Sequence, residues 1–195
     1  DWVFQPTFDY LDCFSEAKAR FRQGDRWGFI NPFGQIVIEA QYDEALHFSN
    51  GLAPVKVDGQ WGYINRFGEM TIPPKYQEAR CFSENRARIK KYGVWGYINR
   101  KGQEVIGAMY ENAWWFSNGL AAVNTGDAFS YIDTNGLQQI APRYQFALPF
   151  QANGLARVRT DSLQGVIDTN GKWVMPPKYD WIEPFFFGKS VAQKG

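Results

Sequence analysis

Asp58-Gly59-Gln60-Trp61-Gly62-Tyr63-Ile64-Asn65-Arg66-Phe67-Gly68 decides the fold of this chain, because it recurs. Trp27-Gly28-Phe29-Ile30-Asn31-Pro32-Phe33-Gly34 stands one period before it, and Trp95-Gly96-Tyr97-Ile98-Asn99-Arg100-Lys101-Gly102 one period after. Two weaker copies follow, Phe129-Ser130-Tyr131-Ile132-Asp133-Thr134-Asn135-Gly136 and Gln164-Gly165-Val166-Ile167-Asp168-Thr169-Asn170-Gly171. The spacing is 34 residues between the first four copies and 35 before the last. A fixed period of this length marks a repeat architecture, in which one unit cannot bury its apolar face alone and stacking supplies the core.

One period, Phe48 to Cys81, reads outward from this stretch as three short strands and their turns. Leu52 to Val57 alternates, with Ala53, Val55 and Val57 on one face and Pro54 and Lys56 on the other, the pattern of a half-buried strand. Asp58-Gly59 is a two-residue hairpin signal. Gln60 to Asn65 is the second strand. Asn65-Arg66-Phe67-Gly68 reads as a type I turn that the Asn side chain caps and a positive-φ glycine closes. Glu69 to Ile72 is the third strand, and Pro73-Pro74 is expected to stop it. An irregular segment from Tyr76 then leads to Phe82. The glycine after each tryptophan points to a close backbone approach or a bulge, with Ser130 as a small substitute. Helical repeats of similar length are excluded, because Gly or Pro arrives every few residues and the apolar period is two.

Two aromatic ladders run through the copies. Tyr42, Tyr76, Tyr110, Tyr144 and Tyr179 share one phase, and Phe14, Phe48, Phe82, Phe116 and Phe150 another. The fold class is therefore all-β, with tandem three-stranded repeats of 34 residues stacked as an open twisted array or solenoid. A five-bladed β-propeller ranks second, since its blades carry four strands and about 40 residues. Five full repeats span 14–47, 48–81, 82–115, 116–149 and 150–184. Residues 1–13 and 185–195 are partial repeats or caps, so the chain is expected to be a piece of a longer array or a domain with atypical ends.

These residues resemble the bacterial WG-repeat family, named for its Trp-Gly pair. Its pattern is met by Gly51-Leu52-Ala53-Pro54-Val55, Trp61-Gly62-Tyr63-Ile64-Asn65, Pro74-Lys75-Tyr76 and Phe82. The likeness covers nearly the whole chain and departs where tryptophan is lost, at Phe129-Ser130 and Gln164-Gly165. The resemblance implies a bacterial β-repeat protein, often of many units and often extracytoplasmic, and no defined enzymatic activity. A secreted, periplasmic or envelope location is the expectation that goes with it.

Composition narrows the function classes. The chain has 195 residues, 45% hydrophobic and 17% aromatic, which predicts a packed structure. A net charge of +1 gives no general attraction to polyanions, so no nucleic acid is expected as partner. No apolar run approaches the roughly 20 residues of a transmembrane helix. Cys13 and Cys81, two repeats apart, are expected to be buried free thiols. His47 is the single histidine and has no sequence partner for base catalysis. No Cys/His set has metal spacing and no phosphate loop is present, so no metal, cofactor or catalytic residue is expected.

Two surface features remain. On the first strand of each repeat, facing away from the Ala/Val ladder, Arg20, Arg22, Lys56, Arg88, Lys90, Arg157 and Arg159 would form a basic stripe if stacked in register. Such a stripe would suit an acidic protein, an anionic glycan or a lipid headgroup. The plainer reading is a solvated strand face whose charges pair with acidic neighbours. The second feature is aromatic excess. Phe33 and Phe67 stand at turn tips, and Trp114 replaces polar or small residues of other copies. Trp173, Trp181 and Phe185-Phe186-Phe187 crowd the C-terminal end, where capping is the expected role. The leading function is a non-catalytic module binding a protein partner through these residues. A carbohydrate or cell-wall binder is the alternative, and an enzyme the remote one.

Overall fold

The computed structural model describes residues 8–183, 192 and 193. Every regular element in it is a strand. The first sheet holds β1 (Tyr10–Leu11), β2 (Ala19–Gln23), β3 (Arg26–Ile30) and β4 (Ile36–Tyr42). The second holds β5 (Glu44–Ala45), β6 (Leu52–Val57), β7 (Gln60–Asn65) and β8 (Met70–Tyr76). The third holds β9 (Glu78–Ala79), β10 (Ala87–Lys91), β11 (Val94–Ile98) and β12 (Glu104–Tyr110). The fourth holds β13 (Asn112–Ala113), β14 (Leu120–Asn124), β15 (Phe129–Asp133) and β16 (Gln138–Tyr144). The fifth holds β17 (Phe146–Ala147), β18 (Leu155–Thr160), β19 (Leu163–Asp168) and β20 (Trp173–Tyr179). A short pair, β21 (Trp181–Ile182) and β22 (Ala192–Gln193), follows. Strands in each sheet lie in chain order. The chain divides into two compact units, one of residues 1–93 and 97–104, the other of 94–96 and 105–195.

The repeat is therefore the all-β unit read from the sequence, with one strand added. Within what reads as an irregular segment, two residues such as Glu44–Ala45 pair with the first long strand of the following repeat, Glu44 opposite Lys56 and Ala45 opposite Val55. Each sheet thus carries a four-stranded meander, the strand count of a propeller blade, at a repeat length short for one.

The turns follow their residues. Asp58 (φ 50°) and Gly59 (φ 78°) join β6 to β7 in a two-residue turn with both φ positive, the form that matches strand twist. Asn65 Oδ1 accepts from Phe67 N at 2.9 Å and Glu69 N at 3.1 Å, and Gly68 N donates to Asn65 O at 3.0 Å. The third strand does not stop at Pro73-Pro74; β8 runs through both. Its register jumps from Ile72 opposite Tyr63 to Tyr76 opposite Trp61, so a bulge absorbs the prolines where no ladder N–H is required.

Sheet 2 is covered on both faces within the first unit. Ala53, Val55 and Ile64 pack with Phe29, Ile38 and Tyr42 of sheet 1. Leu52, Trp61, Tyr63 and Ile72 pack with Phe82, Ala87, Ile89 and Ile98 beyond it. Polar links repeat with the period: Ser15 Oγ donates to Phe48 O at 2.7 Å, and Ser49 Oγ to Phe82 O at 2.6 Å. In the second unit Tyr131, Tyr144, Phe150, Val158 and Ile167 form the corresponding core.

Burial pushes the phenol of Tyr76 up to about 12 and that of Tyr63 well above its ordinary value. Unfolded tyrosine ionises near pH 10, so the unfolded chain releases protons that the folded one retains. Stability is expected to hold below about pH 10 and to fall as pH rises toward 12. Urea midpoints across that range, read with phenolate absorbance, check this. Ionisation of the buried set near pH 10 without loss of structure would contradict it.

Candidate functional site

In four of the five sheets the first long strand carries the basic residues, β14 having none, and acidic residues on or beside its two-residue neighbour neutralise several of them. In sheet 1, Arg20 on β2 holds Asp12 through Nε at 2.6 Å, donates from Nη1 to Ala45 O at 2.6 Å, and lies 5.0 Å over the Trp27 ring. The hydrogen bond from Arg20 keeps the Asp12 carboxyl below its ordinary range. Arg22 is exposed beside Tyr10 on the paired strand. In sheet 2, Lys56 Nζ meets Glu44 Oε1 at 2.6 Å and sits 5.9 Å over Trp61. On β10, Lys90 Nζ meets Glu78 Oε1 at 3.1 Å, while Arg88 is partly buried and desolvation lowers its pKa. The row is therefore a series of local pairs rather than a continuous stripe of free charge. Two of its acidic partners, Glu44 and Glu78, lie on the short strands that the sequence pattern did not reveal, and Asp12 directly follows β1.

In sheet 5 the pairing ends. Arg157 lies on β18, donates from Nη1 to Ile182 O, and stacks 5.8 Å over Trp181. Burial lowers its pKa, and its Nε is buried with no acceptor among the described residues. Arg159 is exposed and opposite Phe146, with no ion pair among the described residues. A cavity of about 280 Å³ opens here, lined by Phe146, Leu148, Arg157, Val158, Arg159, Gln164 and Trp181. The corresponding notch of sheet 2, about 230 Å³, is polar, walled by Glu44, Lys56, Trp61, Gln77, Glu78, Ala79 and Arg80. Sequence reading noted the lost tryptophan at Gln164 and the extra Trp181 separately. The phase shared by Glu44, Glu78, Asn112, Phe146 and Trp181 is the signal that would have joined them.

The predicted aromatic residues divide by burial. Phe33 and Phe67 stand on successive turns with 79% and 67% of their surface exposed. Each turn is fixed from within by an Asn side chain, Asn31 Oδ1 accepting from Phe33 N at 3.0 Å as Asn65 does from Phe67 N. The Gly68 end of the second turn rests on Ile38, where an added Cβ would lie 3.3 Å from the side chain. Trp114 is instead partly buried against the second unit's core and edge-on to Trp115 at 5.6 Å. Trp173 packs on the same core; Phe185-Phe186-Phe187 lies outside the described residues.

Cys13 is exposed, not buried as expected, because it follows the edge strand β1. Cys81 is half-buried, its thiol pushed up to about 11 by desolvation. His47 is exposed, and its carbonyl takes the Cys81 thiol at 3.4 Å. Among the described residues no group of three or more His, Cys, Asp or Glu is placed to hold a metal, and no helix is long and apolar enough to cross a membrane.

A tandem series of short antiparallel meanders with a 34-residue period defines the class: an all-β tandem-repeat protein. The chain belongs to the family of WG-containing repeats, which matches residues 1–27, 27–61, 61–95, 95–127, 129–163 and 165–195. No curated protein matches it. Among solved structures it is similar to a eukaryotic initiation factor, with a TM-score of 0.60 and 12% identity over 93% of this chain and 58% of that one. It is also similar to Hsv2p of Kluyveromyces lactis, with a TM-score of 0.53 and 7% identity over 82% of this chain and 60% of that one. The chain thus spans about three-fifths of the length of each, and likenesses at such identity speak to fold alone.

Proposed function

We propose that this chain is a non-catalytic β-repeat module that binds a protein partner, as one part of a larger bacterial protein. The observation that carries the reading is the pair of exposed rings at Phe33 and Phe67. Two large apolar side chains at the same turn position of adjacent repeats, held by capped turns, are arranged as anchors for another surface. Arg66 lies 4.7 Å over the Phe67 ring and adds a charged flank to it. The ladders argue against a glycan surface, since Tyr63, Tyr76, Tyr131 and Tyr144 are buried between sheets rather than lining grooves. The local ion pairs of Arg20, Lys56 and Lys90 favour the turn tips over the basic row as the contact.

The double variant Phe33→Ser/Phe67→Ser is expected to keep its thermal midpoint, because exposed side chains contribute little to stability. It is expected to lose at least about tenfold in affinity for the partner that cross-linking captures on the unaltered chain. A partner held equally by both would place the contact elsewhere.

A further inference from the structure

The cavity on sheet 5 differs from its counterpart on sheet 2 at several matching repeat positions, three of which set its walls. In sheet 2, Glu44 faces Lys56 across the strands, Trp61 lies beneath the ammonium, and Glu78 holds Arg80 at 3.0 Å. The notch is satisfied from within. In sheet 5, Phe146 stands for Glu44, Gln164 for Trp61, and Trp181 for Glu78. At these three positions two carboxylates and an indole are replaced, while the cation remains as Arg159, joined by Arg157; Asp180 and Glu183, at the positions of Gln77 and Arg80, do not line the cavity. Gln164 does not fill the space, because its Oε1 is engaged by Ile182 N at 3.1 Å. What is left is an aromatic-walled cavity of about 280 Å³, where, among the described residues, Arg159 has no ion pair and the buried Nε of Arg157 has no acceptor.

We infer that this cavity is a binding site for a planar aromatic ring carrying or flanked by a carboxylate. The ligand supplies the two chemical groups that the repeat itself supplies in sheet 2. Phe146 and Trp181 offer ring faces and edges for stacking. Arg159 and Arg157 offer charge-assisted donors in a forked geometry that suits a carboxylate. The volume lies just below the usual range for small-molecule pockets and accommodates one ring system. Such a group could arrive as a free aromatic acid or as an acidic, tryptophan-containing segment of a polypeptide. The site is in the second unit and independent of the Phe33 and Phe67 tips, so the two readings fail separately.

Calorimetric titration of the whole chain tests this with two probes, indole-3-acetate for the free source and acetyl-Glu-Trp-Glu-amide for the peptide source. At least one is expected to bind, and tryptamine, with the same ring and the opposite charge, is expected to bind at least about tenfold more weakly. Arg159→Glu is expected to weaken the bound probe by a similar factor. Gln164→Trp, which restores the repeat's own indole, is expected to abolish binding while the chain stays folded. Lys56→Glu, in the sheet 2 notch, is expected to change nothing. If the peptide binds and the free acid does not, the natural ligand is polypeptide; the reverse assigns a small acid. The inference is overturned if neither probe binds at millimolar concentration, if tryptamine binds as well, or if Gln164→Trp leaves binding intact.

Discussion

Phe82→Ala is expected to cost about 3–5 kcal/mol of unfolding free energy, the range for removing a fully buried aromatic ring. Phe82 is 2% exposed and lies edge-on to Tyr63, their ring centres 5.1 Å apart. Its ring fills the space between the sheet that precedes it and the sheet that follows, among Leu52, Ile72, Ala87 and Ile89. No rotamer of a neighbour replaces that volume, because Tyr63 is held by its own hydroxyl, which donates to Arg80 O at 2.8 Å. The loss reaches both adjoining repeats, since stability in a stacked array is a sum of units and their nearest-neighbour interfaces. Phe33→Ala removes a ring of the same size from a turn tip and is expected to stay within about 0.5 kcal/mol. Urea unfolding of the two variants side by side is the measurement. A Phe82→Ala loss below about 1 kcal/mol would mean that the phenylalanine ladder is not what holds the sheets together.

The ladders were legible in the sequence because their signal is summed over five copies, and a buried phase repeats what one copy leaves ambiguous. The turns were legible for a different reason: Asp58-Gly59 and Asn65 to Gly68 act through their own backbone and need no tertiary partner. The fourth strand was not. Glu44–Ala45 is two residues long, too short to display a period of two, and it exists only because β6 lies alongside it. The pairing of charges with acidic neighbours was expected, but the short strand that supplies Glu44 and Glu78 was not. Without the short strand, Lys56 and Lys90 look like members of a free basic row. With it, each faces a glutamate, whereas Arg22 in sheet 1 faces Tyr10 and Arg159 in sheet 5 faces Phe146. The path of β8 was hidden likewise, since Pro73-Pro74 ends a strand unless a bulge removes the demand for their N–H groups.

That bulge sets the last expected result: Gly62→Ala should cost about 2–3 kcal/mol, the upper part of the range for forced overpacking. A Cβ on Gly62 would lie 2.5 Å from Ile72 O and 2.7 Å from Pro74 N. Both are backbone atoms, so no side chain can rotate away, and β8 itself must move. Movement of β8 strains the pairings of Tyr63 with Ile72 and Trp61 with Tyr76, on which the second face of the sheet depends. Gly59→Ala provides the comparison, because nothing lies within 4 Å of its Cβ position. Its cost, about 1 kcal/mol, comes from positive φ alone. The fourth sheet contains the natural experiment. Ser130 stands at the position of Gly62, buried, with its hydroxyl donating to Val123 O at 3.4 Å. Its surroundings already admit a Cβ, so Ser130→Gly is expected to change stability by less than about 1 kcal/mol. Chemical denaturation of the three variants separates the two accounts of the glycine. If Gly62→Ala costs no more than Gly59→Ala, the strand facing Gly62 yields as readily as the one facing Ser130. The glycine would then be set by something other than the approach of β8. If Gly62→Ala costs clearly more than the other two, the Trp-Gly pair is explained by that approach: the tryptophan fills one face of the sheet, and the glycine lets the bulged strand cross behind it.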